Sequence, residues 1–581
     1  MQHRNIRRKA ARVALFAFHF SLFTSAPALM TSCLDETFPT SSITAGQMQQ
    51  SESSLAGQNN AMAASVMNYG STYSHAAYPA LMIWREVYCD QLPIYATTYD
   101  YFGNSTSYLG DGQLFYDWWY QYYNTIHNAN TLIGMVDPVK ADKQSLVYLG
   151  NALGYRAWCY LEACQLWEYK KTGVSTLDAQ ADERDLWGLT VPIVNEHTTK
   201  DQTRTNGRAP FYTMYRFLHK DLSNAEKYLK NYQRSQVNEM NEAAICGLAA
   251  RFWLLLGSRF EQSDADLQTQ LAHENDQDGY LPLGINSADS CFARAEKYAK
   301  RATELGGVPT SQSQWLDAKT GFNTAIQSWL FGIEMVADDN TSDSWKNFVS
   351  FMSPDANYGV ANTTYQSIRL CDADLFKKIS KSDWRRLSWI APEDAGKDSE
   401  YEKYATNLTL TEWKDYPALT NMKFHPAGGE RTAFKEASAI DLPIMRVEEM
   451  YFIQAEALAH TKGIPQAICL LDSFMNTFRY TDASYACTAS TLKELQDEII
   501  TQKRIEFWGE GIVFWDYKRL NRAVKRKYSG SNHPTSYQHN SPEGVTARWM
   551  NVYIPSNEYL YNKVLSDQRN PDPSRTEEME Y

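Results

Sequence analysis

The sequence carries no CxxC pair, and no HExxH, GxSxG, Walker or GxGxxG motif stands where its chemistry would need it. Those absences exclude the common zinc, redox, serine-hydrolase and nucleotide chemistries. The 11 histidines are scattered singly, so neither a metal site nor a cofactor is expected. "ENDQDG" (Glu274 to Gly279) opens like a calcium loop, but position twelve is Ile285 where a bidentate Glu is required, which leaves an acidic surface turn. Positive charge is scarce: 56 Lys and Arg against 68 Asp and Glu give a net charge of −12. That argues against nucleic acid, whose phosphates demand a basic surface. No Pro- or Gly-rich linker divides the 581 residues, although such a length would ordinarily hold about two to four domains. Cysteines are few and widely spaced, and most are expected to be buried thiols acting as small apolar residues.

What is present begins with a secretory leader. Residues 1–32 hold Arg4, Arg7, Arg8, Lys9 and Arg12, no acidic residue, and an apolar run from Val13 to Phe23 that is too short to span a bilayer. Removing those five cations lowers the net charge from −12 to −17. An ordinary signal cleaved after Ala26 or Ala28 is one reading of the exit. The other is a lipid anchor, because "ALMTSC" resembles a bacterial lipobox with Cys33 as the acylated residue, Met30 standing where Leu is usual. Acyl chains contribute about 0.8 kcal/mol per buried CH₂, so palmitate and its like at Cys33 would hold the body to a membrane. Asp35 and Glu36 directly follow, and resemble the signal that sends lipoproteins of the Bacteroidetes to the outer face of the outer membrane.

Alanine and glycine recur at helical spacing inside apolar segments, and the segments come in pairs. Glu242–Gly257 places Ala243, Gly247, Ala250 and Leu254 on one stripe; its partner offers Ala295, Ala299 and Ala302, then Gly306 as a stop. Arg446–His460 pairs with Ile464–Arg479 across Gly463, with Pro465 in the first turn. Leu149–Trp167 pairs with Met214–Leu229, and residues 45–68 with Leu114–Val136. Small residues where helices cross describe tetratricopeptide-like units. Two polar, aromatic stretches interrupt the pairs, at about 84–113 and 306–441.

The C-terminal "RIEFWGEGIVFWDYKRL" resembles a segment of the SusD/RagB family, with Arg504, Glu506, Glu510, Gly511, Asp516 and Arg519 in its places. Ile512 and Val513 depart from the family's usual His-Arg, which alters any ion pair there. "LPIMRVEEMYFIQAEAL", "YIPSNEYLYNKVLSDQRNP", "CLDETFPTSSIT" and "WWYQYYNTIHNANTLI" are similar to further segments, in the family's order. The resemblance implies a mostly α-helical SusD-like fold: a signal peptide over 1–32 and one domain over 33–581, built on four tetratricopeptide-like helix pairs. It implies a lipid-anchored outer-membrane protein facing outward, and a SusC-like TonB-dependent transporter as partner. Its cargo would be an oligosaccharide, or a peptide in some relatives, and no reaction would be catalysed. Glu506 and Glu510, one helical turn apart, are then expected to form ion pairs rather than an acid–base couple.

Thirty-seven tyrosines and sixteen tryptophans bring aromatic residues to 13 % of the chain, more than a core alone needs. Sugar C–H faces lie on aromatic rings while hydroxyls bond short polar side chains, so rings among Asp, Asn and Ser mark candidate ligand contacts. In the first insertion these are Asp90, Tyr95, Tyr99, Tyr101, Phe102, Asn104 and Tyr108; in the second, Trp345, Phe348, Phe351 and Tyr358. Trp118, Trp119 and Trp158 sit in helical patterns and are expected in the core. A paired-helix scaffold can set residues 86–112 and 340–360 on one face, forming a flat aromatic platform. The rival reading is a secreted helical lyase or glycosidase, which would show a groove with a tuned acid or base.

Overall fold

The structure, a computed structural model, describes residues 52–67, 75, 77–103, 113–336 and 345–575, so Cys33, Asn104 and Tyr108 lie outside the described residues. Its frame is a run of helices: α1 (Glu52–Ser65), α2 (Ala77–Tyr88), α3 (Gln113–Met135), α4 (Lys143–Trp167), α5 (Phe211–Leu229), α6 (Glu242–Gln262), α7 (Ala288–Leu305), α8 (Val447–Thr461), α9 (Ile464–Phe478), α10 (Leu492–Glu506) and α11 (Val513–Arg519). Side-chain caps fix their starts. Asp142 accepts from the Ser145 N–H, Asn241 from that of Ala244, and Thr491 forms a capping box with Glu494.

The four pairs read from the sequence all pack: α1 on α3, α4 on α5, α6 on α7 and α8 on α9. Small residues let the helices approach. A Cβ on Gly257 of α6 would stand 2.7 Å from the Phe292 ring of α7, so only glycine lets that ring lie against the backbone. Ala295, Ala299 and Ala302 are fully buried along α7, which also packs on α8. α6 is long and apolar enough to cross a bilayer, but almost all of it is buried in this core. Trp118, Trp119 and Trp158 are core residues, as expected.

Between α7 and α8 the chain makes its long insertion. Strand β1 (Trp329–Glu334) pairs antiparallel with β2 (Asp441–Arg446), Trp329 opposite Arg446 and Glu334 opposite Asp441, so the ribbon draws together the two ends of residues 335–440. Of the six tryptophans scattered there, Trp315, Trp329, Trp384, Trp389 and Trp413 are buried and Trp345 alone is partly exposed.

Beneath the insertion lies a fully buried ion cluster that accounts for the C-terminal motif. Glu506 accepts from Arg385 at 2.9 Å, Arg446 at 3.0 Å and Arg479 at 2.8 Å. Glu510 accepts from Arg446 at 2.9 Å and Lys423 at 2.7 Å. Burial alone would raise the Glu506 pKa, but the guanidiniums of Arg479, Arg446 and Arg385 outweigh it and hold the carboxyl far below the usual carboxylate range. Asp516 pairs with Arg519 at 2.8 Å and Asp90 with Arg504 at 3.1 Å. Ile512 and Val513 are buried apolar residues at the start of α11. Gly511 has φ 72, and a Cβ there would meet the Met82 Cα at 2.8 Å. The motif is thus structural.

Six of the eight described cysteines are buried; Cys469 is exposed and Cys487 partly so. The acidic turn at 274–279 spends its charge internally, Asp278 and Asp276 accepting from buried Arg216 at 2.6 and 3.3 Å.

Candidate ligand-binding site

The chain leaving α2 turns back along residues 366–370 of the long insertion, and backbone pairing fixes the two together. Leu370 N–H donates to Pro93 O at 2.8 Å, Tyr95 N–H to Ile368 O at 3.0 Å, and Ala96 N–H to Gln366 O at 3.1 Å. A buried ion pair locks the loop: Arg369 Nη2 reaches Asp100 Oδ1 at 2.6 Å, and the same oxygen accepts the Phe102 N–H at 3.1 Å. Phe102 then plugs the joint, edge-to-face with Trp84 of α2 at 5.2 Å and with Phe351 at 4.8 Å. On the other strand Gln366 takes φ 61, a conformation unusual for a residue with a side chain.

This pairing brings three partly exposed rings together. Tyr99 meets Trp345 at 5.5 Å and Tyr365 at 5.1 Å, and Trp345 meets Tyr365 at 4.8 Å between centroids. The interplanar angles are 87°, 85° and 68°, so the rings stand nearly at right angles and the expected flat platform does not form. Trp345 is held from below: its carbonyl accepts from Ser350 Oγ at 2.9 Å, and Asn347 caps the short helix Phe348–Met352 through the Ser350 N–H at 2.8 Å. Thr97, Thr98, Thr364 and Gln366 are exposed on the same two segments and offer hydroxyl and amide groups.

The other candidates divide by burial. Tyr95 is 53 % exposed. Tyr101 is partly exposed, 6.2 Å from Phe351. Tyr358 is partly exposed beside Phe434 at 6.3 Å; burial pushes its phenol pKa up, and its hydroxyl finds no partner among the described residues. Three of the expected contacts are corrected, together with Phe351. Asp90 is buried and accepts from Tyr517 Oη at 2.8 Å besides pairing with Arg504, so its oxygens serve the core. Phe102 and Phe351 form the plug described above, and Phe348 packs edge-to-face on Phe424 at 5.0 Å. Tyr365 was missed because it stands just past residues 340–360, the part of the insertion expected to form the face; the polar neighbours in "NTTYQ" were the available signal.

The family model described as the SusD family matches residues 335–565, and that described as "starch-binding associating with outer membrane" matches residues 34–254. The chain belongs to the SusD/RagB family. Solved structures agree in fold. A SusD-like carbohydrate binding protein from Bacteroides vulgatus is 17 % identical with a TM-score of 0.66, over 90 % of this chain and 99 % of that one. A SusD superfamily protein from Bacteroides thetaiotaomicron is 18 % identical with a TM-score of 0.61, over 89 % and 99 %. A structure described with xylogluco-oligosaccharide is 15 % identical with a TM-score of 0.56, over 87 % and 97 %. No curated protein matches the chain. The SusD-like fold is therefore mostly helical here, as the helix pairs indicated, and the family is starch- or glycan-binding and outer-membrane associated.

Proposed function

We propose that this SusD-family protein captures oligosaccharides at the cell surface and passes them to a SusC-like TonB-dependent transporter, without chemistry of its own. The observation that carries the reading is the ring cluster of Tyr99, Trp345 and Tyr365, built from both insertions and edged by hydroxyl and amide side chains. Trp345 is the one insertion tryptophan left partly exposed, and the other five fill the core. One ring contact contributes on the order of 1 kcal/mol beyond its buried area, and a millimolar dissociation constant needs roughly 4 kcal/mol, so the ring with its polar rim suffices for weak capture. Tyr95, Tyr101 and Tyr358 remain candidate contacts beside it. The rival reading, an enzyme, gains little from the tuned groups. Glu86 has its carboxyl pushed up to about 8 by burial, the range of a general acid, but it is 1 % exposed and its Oε1 accepts the Gly511 N–H at 2.7 Å. It cannot reach a substrate.

Titration of the protein with neutral oligosaccharides and with mixed peptides, followed by calorimetry, tests the cargo. Sugar binding is expected; peptide binding with no response to any sugar would move the reading to peptide uptake. The anchor is tested separately. Cys33→Ala is expected to leave the body folded, to abolish palmitate labelling and to release the protein from membranes. Labelling that persists in the variant would sink the lipid anchor.

A further inference from the structure

We infer, on the glycan-binding reading above, that the ring cluster grips a single sugar unit, a chain end or a side branch, and does not support successive units of an extended chain. In an edge-to-face pair one ring lays its edge on the other's face, so each such contact takes a face out of use. The three contacts among Tyr99, Trp345 and Tyr365 are all edge-to-face, and the smallest angle between any two rings is 68°. A sugar stacks with its mean plane parallel to the ring beneath it. The neighbouring unit of a flat ribbon lies nearly parallel to the first, and would therefore meet the other two rings edge-on. A ribbon can satisfy one face of this cluster and no second one. The unit that is gripped meets one ring face and the hydroxyls and amides of Thr97, Thr98, Thr364 and Gln366, which are exposed on the same paired segments.

The backbone fixes where two of the rings start. Tyr99 lies one residue before Asp100, whose carboxylate is tied to buried Arg369 at 2.6 Å. Tyr365 lies one residue before Gln366, whose carbonyl accepts the Ala96 N–H at 3.1 Å. Those bonds fix where the backbone presents Tyr99 and Tyr365, and the three edge-to-face contacts hold the ring planes at their angles, so a platform would form only by giving up those contacts.

The test is calorimetry of the mature chain with cello- and manno-oligosaccharides of two to six units, whose successive units lie nearly parallel, beside Trp345→Ala. In any series that binds, the dissociation constant is expected to change by less than about threefold from two units to six, and Trp345→Ala to weaken every length alike. A platform would gain about fivefold for each further stacked unit, and a rise of that size along a series would overturn the inference. Binding that survives unchanged in Trp345→Ala would overturn it as well, by placing the sugar elsewhere. Silence from both series, and from malto- and xylo-oligosaccharides, while peptides bind would instead overturn the glycan reading on which the inference rests.

Discussion

Glu506→Ala is expected to destabilise the protein by about 3–5 kcal/mol at pH 7, measured by denaturant unfolding, and to lower the yield of folded protein. The side chain faces Arg385, Arg446 and Arg479 in a cluster where four cations (with Lys423) are balanced by Asp383, Glu448, Glu506 and Glu510, all of them buried. Removing one carboxylate leaves an uncompensated guanidinium without water to solvate it. Glu506→Gln keeps the shape and part of the hydrogen bonding but loses the same charge, so its effect is expected to be nearly as large. The sign with pH follows from the depressed pKa. The contribution is present above the unfolded carboxyl value of about 4.3 and is lost as pH falls below it, because the unfolded chain then binds a proton that the folded carboxylate does not. The difference between native protein and Glu506→Gln is therefore expected to shrink between pH 7 and about pH 3. A loss under about 1 kcal/mol at pH 7 would show that the cluster relaxes around the gap.

Arg369→Ala is the second large effect, and it reaches the ligand. Arg369 and Asp100 are both buried and 2.6 Å apart; Tyr99 directly precedes Asp100, and Tyr365 lies four residues before Arg369. Leaving Asp100 unpaired is expected to cost about 3–5 kcal/mol. Releasing the loop is expected to weaken sugar binding more than about tenfold, because the rings no longer keep their mutual angles. Replacing both partners, Arg369→Met with Asp100→Leu, is expected to recover much of the stability, since an apolar pair can replace a buried ion pair. Full affinity retained in Arg369→Ala, with the stability loss present, would show that the ion pair supports the fold but not the site.

The helix pairs were legible because their signal is local. Ala295, Ala299 and Ala302 sit at a helical period, and Gly463 with Pro465 marks a start, so spacing alone places α7 and α9. The C-terminal motif was legible as ion-pairing, although not its partners. Arg385, Arg446 and Arg479 come from three separate segments, and only the folded chain brings them to Glu506. The site was legible as two regions and not as residues. Phe102 and Phe348 carry the same aromatic-in-polar context as Tyr99 and Trp345, yet Phe102 plugs the joint beneath and Phe348 packs on Phe424. What separates them is which side of a loop faces out, and that is fixed by Arg369–Asp100 and the 93–96 to 366–370 pairing, contacts spanning some 270 positions. No local pattern carries that information.

Whether sugar is held on this ring cluster is read from Trp345→Ala, with affinity and unfolding followed side by side. Trp345 is partly exposed and outside the buried core, so the unfolding midpoint is expected to stay near that of the native protein. Affinity for the bound oligosaccharide is expected to fall about five- to thirtyfold, or roughly 1 to 2 kcal/mol. A lowered midpoint with affinity unchanged in the protein that remains folded would make Trp345 a packing residue and contradict the account.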